Sequence, residues 1–198
     1  MYFYNAVHHF CTITRHKWLV MKYCFAVGLF RQGLLHDLSK YSWEEFATGV
    51  RYYQGTRSPN AAEKDARGYS AAWLHHKGRN KHHFEYWIDY VAVPGTPRRW
   101  MLDGNKMPLN YLIEMVMDRI AASRVYKGAD YTDASAWEYY DMSRACPGIH
   151  PQTSYQLEYL LLMLKEQGEE KTFSYIRALL WRDKQRRWKT WIDKVLKG

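Results

Sequence analysis

"LLHDLSKYSWEEF", residues 34–46, sets an adjacent histidine and aspartate, His36 and Asp37, inside what reads as an amphipathic helix. Leu34, Leu35, Leu38 and Tyr41 fit a core-facing stripe, so an imidazole and a carboxylate stand among residues expected to be buried. A further helix is expected from Trp43. Ser42 has the chemistry of its N-cap, and Glu45 stands three residues on, at capping-box spacing.

Outward from that stretch, the helical period dominates. Over residues 5–31, His9, Ile13, His16, Val20, Tyr23 and Val27 recur at steps of three and four, and Gly33 permits a turn. Residues 55–68 have little periodicity and read as a loop. "YSAAWLHHK" predicts a short helix that Gly78 interrupts and "HHFEYWIDYVA" resumes. Residues 93–108 read as a second long loop. Pro108 suits the first turn of a strong helix, "LNYLIEMVMDRIAASRVY". "KGADYTDAS" reads as a loop, and two more helices are expected at 152–167 and 169–196. No strand alternation of useful length occurs. The expected fold is a single all-α domain spanning residues 1–198, with ligands on at least four helices.

Composition narrows the function. Apolar residues make up 47% of the 198, but none of their runs approaches the ~18 residues of a membrane span. The first residues lack the basic and apolar regions of a signal peptide. Cys11, Cys24 and Cys146, odd in number and irregularly spaced, fit reduced thiols. A cytoplasmic protein with no membrane partner is the expectation. The net charge of +9 is concentrated in "WRDKQRRWKTWIDKVLKG" at the C-terminus, which is either a solvated face or an attractor of polyanions. Trp181, Trp188 and Trp191 lie on one helical face there, and are expected to dock this helix onto the fold rather than stack on bases.

Eight of the nine histidines precede residue 84. By the same arithmetic His16, His36, Asp37, His76, His83 and Asp118 all face inward, with small Ala121 and Ala122 beside Asp118. His75 and His82 turn toward the polar side; if the phase slips across Gly78, they take the places of His76 and His83. Unpaired burial of such groups costs about 1–3 kcal/mol each. One or two divalent transition metals (Fe, Mn, Zn, Ni or Co) would relieve that cost, since neutral imidazole and carboxylate are suitable ligands. On a helix, the His36-Asp37 pair would approach one metal from two directions.

The order His … His-Asp … His … His … Asp resembles the HD-domain superfamily of metal-dependent hydrolases. His16, His36, Asp37 and Asp118 match its four-ligand core, and His76 and His83 match the extra histidines of its two-metal branches. "HDLSK" is similar to the "HDIGK" of the HD-GYP phosphodiesterases, with Ser39 for Gly. The "GYP" motif itself is absent, so cyclic-di-GMP hydrolysis is not implied. "HDLSKYS", "HHKGRNKHHFEYW" and "MP…EM…D" also resemble an uncharacterised family of unknown function. Together these cover residues 10–125. The resemblance implies an HD-domain-like helical bundle and a metal-dependent phosphohydrolase acting on a small anionic phosphorylated substrate.

On that reading Asp37 bridges the metals and orients the attacking water. Lys40, one turn on, neutralises phosphoryl charge; the alternative is that it only pairs with Asp37 or extends into water. Arg79, Asn80 and Lys81 are candidate substrate contacts, with Lys77 and Arg98-Arg99 as further basic residues. Asn80, Glu85 and Glu114 are candidates to orient the imidazoles. Two other functions fit the sequence. One is a diiron oxygenase similar to myo-inositol oxygenase, which uses the same donor order. The other is a non-enzymatic nucleic-acid-binding protein using the basic C-terminal helix, although no recognised motif accompanies it.

Overall fold

The computed structural model describes residues 2–96, 99–142 and 148–197. Its central element is α6 (Leu109–Lys127), whose "LIEMVM" run is buried almost all round because α1 (Tyr2–Ala26) and α8 (Pro151–Lys197) cover it from different sides. Val20, Tyr23 and Cys24 of α1, Leu112, Val116 and Ile120 of α6, and Leu157, Leu161 and Leu164 of α8 interlock in one core. Truncating such a side chain costs about 2–5 kcal/mol. The fold is mainly α. α8 bends at Gly168, whose φ of 79° no ordinary helical residue adopts, and so divides into two helices as its sequence predicts.

Several local expectations give way. α1 ends at Ala26, and the turn uses Gly28, at φ 87°, instead of Gly33. Gly33 lies inside α2 (Phe30–Leu35), where a Cβ would press on Cys24, Met21 and Phe25 of α1, so it permits close packing. The helix expected through "LLHDLSK" stops at Leu35. His36 and Asp37 form the break, and Leu38–Tyr41 make a 3-10 turn. The break reverses the burial: Leu34, Leu35, Leu38 and Tyr41 are exposed and the polar pair is buried.

α3 (Trp43–Arg51) does begin after Ser42, but no capping box forms, because Glu45 turns toward the histidines of the next helical pair. The loop expected at 55–68 contains α4 (Pro59–Arg67). Pro59 opens it and Gly68 closes it in the left-handed region, a start and stop that its polar sequence conceals. α5 (Ala71–Lys77) is capped by Ser70, whose hydroxyl accepts from the Trp73 amide and donates to Glu63. Residues 82–92 do not resume a helix. Phe84–Trp87 is a 3-10 turn, and β1 (Ile88–Ala92) pairs antiparallel with β2 (Trp100–Gly104), Tyr90 opposite Leu102. The aromatic and β-branched residues of β1 favour the strand. α7 (Ser135–Asp141) begins at the last residue of the loop expected at 127–135 and runs on into a stretch for which the sequence predicts no element.

Among the described residues Cys11 and Cys24 are free thiols, and no helix is long and apolar enough to cross a membrane. Cys146 and Arg98 lie outside the described residues.

Candidate metal centre

The centre forms where α1, the α2 break, α5 and α6 face one another. Asp37 decides its geometry. Its φ of 52° and ψ of 27° make it the one non-glycine residue in the left-handed region among the described residues. Aspartate tolerates that conformation better than most residues, and such strain concentrates at functional sites. A continuous helix would point His36 and Asp37 about 100° apart. The break instead brings His36 Nε2 to 3.3 Å from Asp37 Oδ2.

The two carboxylate oxygens of Asp37 then face two different donor sets. Oδ2 lies 3.3 Å from His36 Nε2 and 3.7 Å from His16 Nε2, and His16 Nε2 is 2.9 Å from Asp118 Oδ1. Oδ1 lies 3.3 Å from both His76 Nε2 and His82 Nε2, and His76 Nε2 is 2.9 Å from His83 Nε2. Donors about 2.0–2.2 Å from one ion sit about 3.0–3.5 Å from each other. The donor separations of 2.9–3.7 Å given above are close to that spacing, and the ligand atoms of each set all lie within 4.8 Å of one another, so His16, His36, Asp37 and Asp118 could hold one metal ion, and Asp37, His76, His82 and His83 another.

The outer layer is as ordered as the donors. Glu114 Oε1 accepts from Nδ1 of His36 at 3.0 Å and lies 3.2 Å from Nδ1 of His82. Glu45 accepts from Nδ1 of both His76 and His75, at 2.7 Å each. With the proton on Nδ1, the Nε2 lone pair of His36, His76 and His82 is left for the centre; this is how metal-binding histidines are held in orientation. Asn80 is turned inward, its amide 2.8 Å from Ser39 Oγ and from the His76 carbonyl, and so steadies His76 instead of meeting solvent.

Buried polar atoms without hydrogen bonds mark the same spot. Asp37 Oδ1 and Oδ2 and His82 Nε2 have no aligned hydrogen-bond partner, despite close neighbours. Burial opposes the charge of Asp37, but His36, Lys40 and His76 outweigh it and hold the carboxyl well below its ordinary range. Asp118 and Glu114 are likewise held low against burial by the imidazoles around them. His83 is pushed well below the usual imidazole range by burial and by His82 and His76, so it stays neutral, as a ligand must. His36 and His82 go the other way: burial disfavours their charge, and the neighbouring carboxylates overcome it. The buried Cys24 thiol is pushed far up by burial and by Glu114 and Asp118, so it remains a thiol. The carboxylates are ionised, and a bound cation would displace the protons that they favour on His36 and His82; carboxylate with neutral imidazole suits divalent transition metals.

Over residues 5–163 the chain matches a family of unknown function, DUF5662. The chain belongs to this family. The matched span contains both donor sets, both outer carboxylates and most of the first arm of α8. No curated protein and no solved structure matches the chain significantly.

All six residues expected to face inward as donors are brought together. His82 joins them, and sequence arithmetic had turned it outward. Gly78 ends α5, so helical phase carries no information beyond it; the doubled "HH" was the available signal. His75 rests on Glu45 outside both sets. Lys40 Nζ lies 2.6 Å from Asp37 Oδ2 with its side chain 27% exposed, so it pairs with the carboxylate and still reaches the rim. Burial works against its charge, but Asp37 and Asp118 raise its pKa. Arg79 and Lys81 are exposed; Arg79 bonds the His75 carbonyl at 3.4 Å, and Lys81 lies over the Tyr86 and Tyr111 rings. Glu85 is half-buried and forms no hydrogen bond with a histidine among the described residues; Glu45 and Glu114 orient them instead. Glu45 gave no sequence signal beyond a false capping box.

Proposed function

We propose that the protein is a metal-dependent phosphohydrolase whose two cations share Asp37. The observation that carries this is the division of the Asp37 carboxylate, one oxygen toward His16, His36 and Asp118 and the other toward His76, His82 and His83. The resemblance of the donor order to the HD-domain hydrolases supports the same reading. Cations at such a pair of sites acidify a water toward pKa ~7 and offset charge at phosphorus.

The chain's residues have distinct roles in this reading. Asp37 fixes the spacing of the two sites. Glu114 orients one imidazole of each set, and Glu45 orients His76. Lys40, half-released to solvent beside Asp37, places its ammonium against an incoming phosphoryl oxygen. Arg79 and Lys81 add positive charge at the rim and attract a small phosphorylated substrate.

Metal analysis of the purified full chain, followed by hydrolysis assays with a phosphomonoester and a phosphodiester, tests the proposal. About two metals per chain and a chelator-sensitive phosphatase or phosphodiesterase activity are expected. A chain that takes up no metal when metal is supplied would overturn the reading. So would a coloured iron protein with an EPR signal that consumes oxygen and leaves phosphate esters intact; that outcome establishes the oxygenase instead.

A further inference from the structure

The second arm of α8 leaves the body of the protein. Phe173 and Ile176 are buried and Leu180 packs against the core, but from Trp181 onward no described residue is buried. The tryptophans therefore do not dock the helix. Trp181, Trp188 and Trp191 are 63%, 58% and 55% exposed, and Trp188 stacks on Trp191 with ring centroids 5.1 Å apart. At about 1.5 Å per residue, this free arm extends for roughly 25 Å.

Its two faces are sharply different. At about 100° per residue, Trp181, Trp188, Trp191, Ile192 and Val195 fall in one arc. Arg182, Arg186, Arg187, Lys189 and Lys194 fall in the opposite one, while Lys184 falls among the tryptophans. Asp183, which pairs with Arg186 and Arg187 at 2.7 and 3.0 Å, and Asp193 are the acids of the arm. An exposed apolar face needs a cover, and the charge of the opposite face selects an anionic one.

We propose that residues 181–196 lie in the plane of an anionic lipid surface, tryptophans toward the acyl boundary and Lys and Arg among the headgroups. Indole rings favour that boundary, because an apolar body and an N–H donor are both accommodated there. Apart from Lys184, the separation of aromatic and basic arcs is the pattern of an interfacial helix, and the long stem of that lysine lets its ammonium reach the headgroups. A nucleic acid engages the basic arc and leaves the tryptophans in water. A second copy of the chain covers the tryptophans but brings together two arms of the same charge. The helix is too polar to span the bilayer, so it rests on the surface.

The test uses the full chain, phosphatidylcholine vesicles with and without about 30% phosphatidylserine, and an RNA and a DNA duplex. The paired variants are Trp188→Ser with Trp191→Ser, and Lys189→Glu with Lys194→Glu. All four residues are exposed, so unchanged circular dichroism is expected. The wild type should sediment with the anionic vesicles and show a blue-shifted tryptophan emission. Each pair should weaken that binding at least about tenfold. Absence of vesicle binding, or binding unaffected by the tryptophan pair, overturns the proposal. Duplex binding lost only in the lysine pair, without vesicle binding, assigns the arm to nucleic acid. Concentration-dependent dimerisation lost in the tryptophan pair, again without vesicle binding, assigns it to a second copy. None of these results depends on the metal centre or its activity.

Discussion

Seven residues apart on one face of α1, His9 and His16 are equally buried, each 6% exposed, yet their surroundings are opposite. His16 is met by carboxylates from two other elements, Asp37 from the α2 break and Asp118 from α6. His9 is met by rings: Phe46 at 5.3 Å and Tyr53 at 6.0 Å between centroids, with Gly49 beneath it where any Cβ would collide with the imidazole. Its Nδ1 has no hydrogen-bond partner. Burial, with help from the Lys40 charge, lowers its pKa to about 4. Helical periodicity places a histidine inside; only the elements packed against it decide whether it is a donor or filler.

The strongest way to break that comparison is Asp37→Ala. If Asp37 makes His16 a ligand, the substitution removes a donor from both sets at once. Metal content should fall from about two per chain toward zero, and hydrolysis to background. Retention of both metals, measured by elemental analysis, would show that the carboxylate only neutralises Lys40. His9→Leu should leave metal content unchanged. Next in size is Lys40→Met. Turnover should drop about 10²–10³-fold, the scale of one preorganised electrostatic donor, with metal content intact. Equal turnover on the best phosphate ester would remove Lys40 from the mechanism.

The outer carboxylates sharpen the comparison further, because they separate the two donor sets. Of the donor histidines Glu45 supports only His76, whereas Glu114 supports His36 in one set and His82 in the other. Glu45→Gln should weaken one of the two metals by about 10–100-fold, and Glu114→Gln should weaken both. Titration with metal in a competing chelator distinguishes the patterns. Equal effects on both sites from Glu45→Gln would mean that the sets are not independent.

The same contrast explains what was legible in the sequence. The α1 stripe, the two arms of α8 and the inward Asp118 follow from period alone, because each lies on a long regular helix. His36-Asp37 was legible as a pair and not as a geometry: the left-handed Asp37 is a tertiary choice that the "HDLSK" letters do not encode. His82 was misplaced because phase cannot be carried across a helix end. Glu45 was misread because a capping box and a histidine-orienting carboxylate look alike until α5 is packed against α3. The C-terminal tryptophans carry the opposite lesson. Their period correctly defines a face, and the chain provides nothing to cover it.

The smallest effect is the best measured, since it needs no metal and no substrate. His9 is neutral in the fold down to about pH 4, whereas an unfolded chain protonates it near pH 6.5. Between those values the unfolded state binds the extra proton, so stability is full above about 6.5 and declines as the pH falls toward 4. At pH 5 the loss attributable to His9 is about 2 kcal/mol as an upper estimate. His9→Leu keeps an apolar filler of similar volume and forfeits no hydrogen bond, so it removes the proton linkage with little repacking. Relative to wild type, the variant should gain about 4–8 °C in unfolding midpoint on going from pH 7.5 to pH 5. Metal-free protein should be used, so that ligand loss from the centre does not contribute. An offset between the two proteins that is the same at both pH values would show that His9 takes up its proton in the fold. It would then resemble His16 in having a charged partner, and the distinction drawn along α1 would fail.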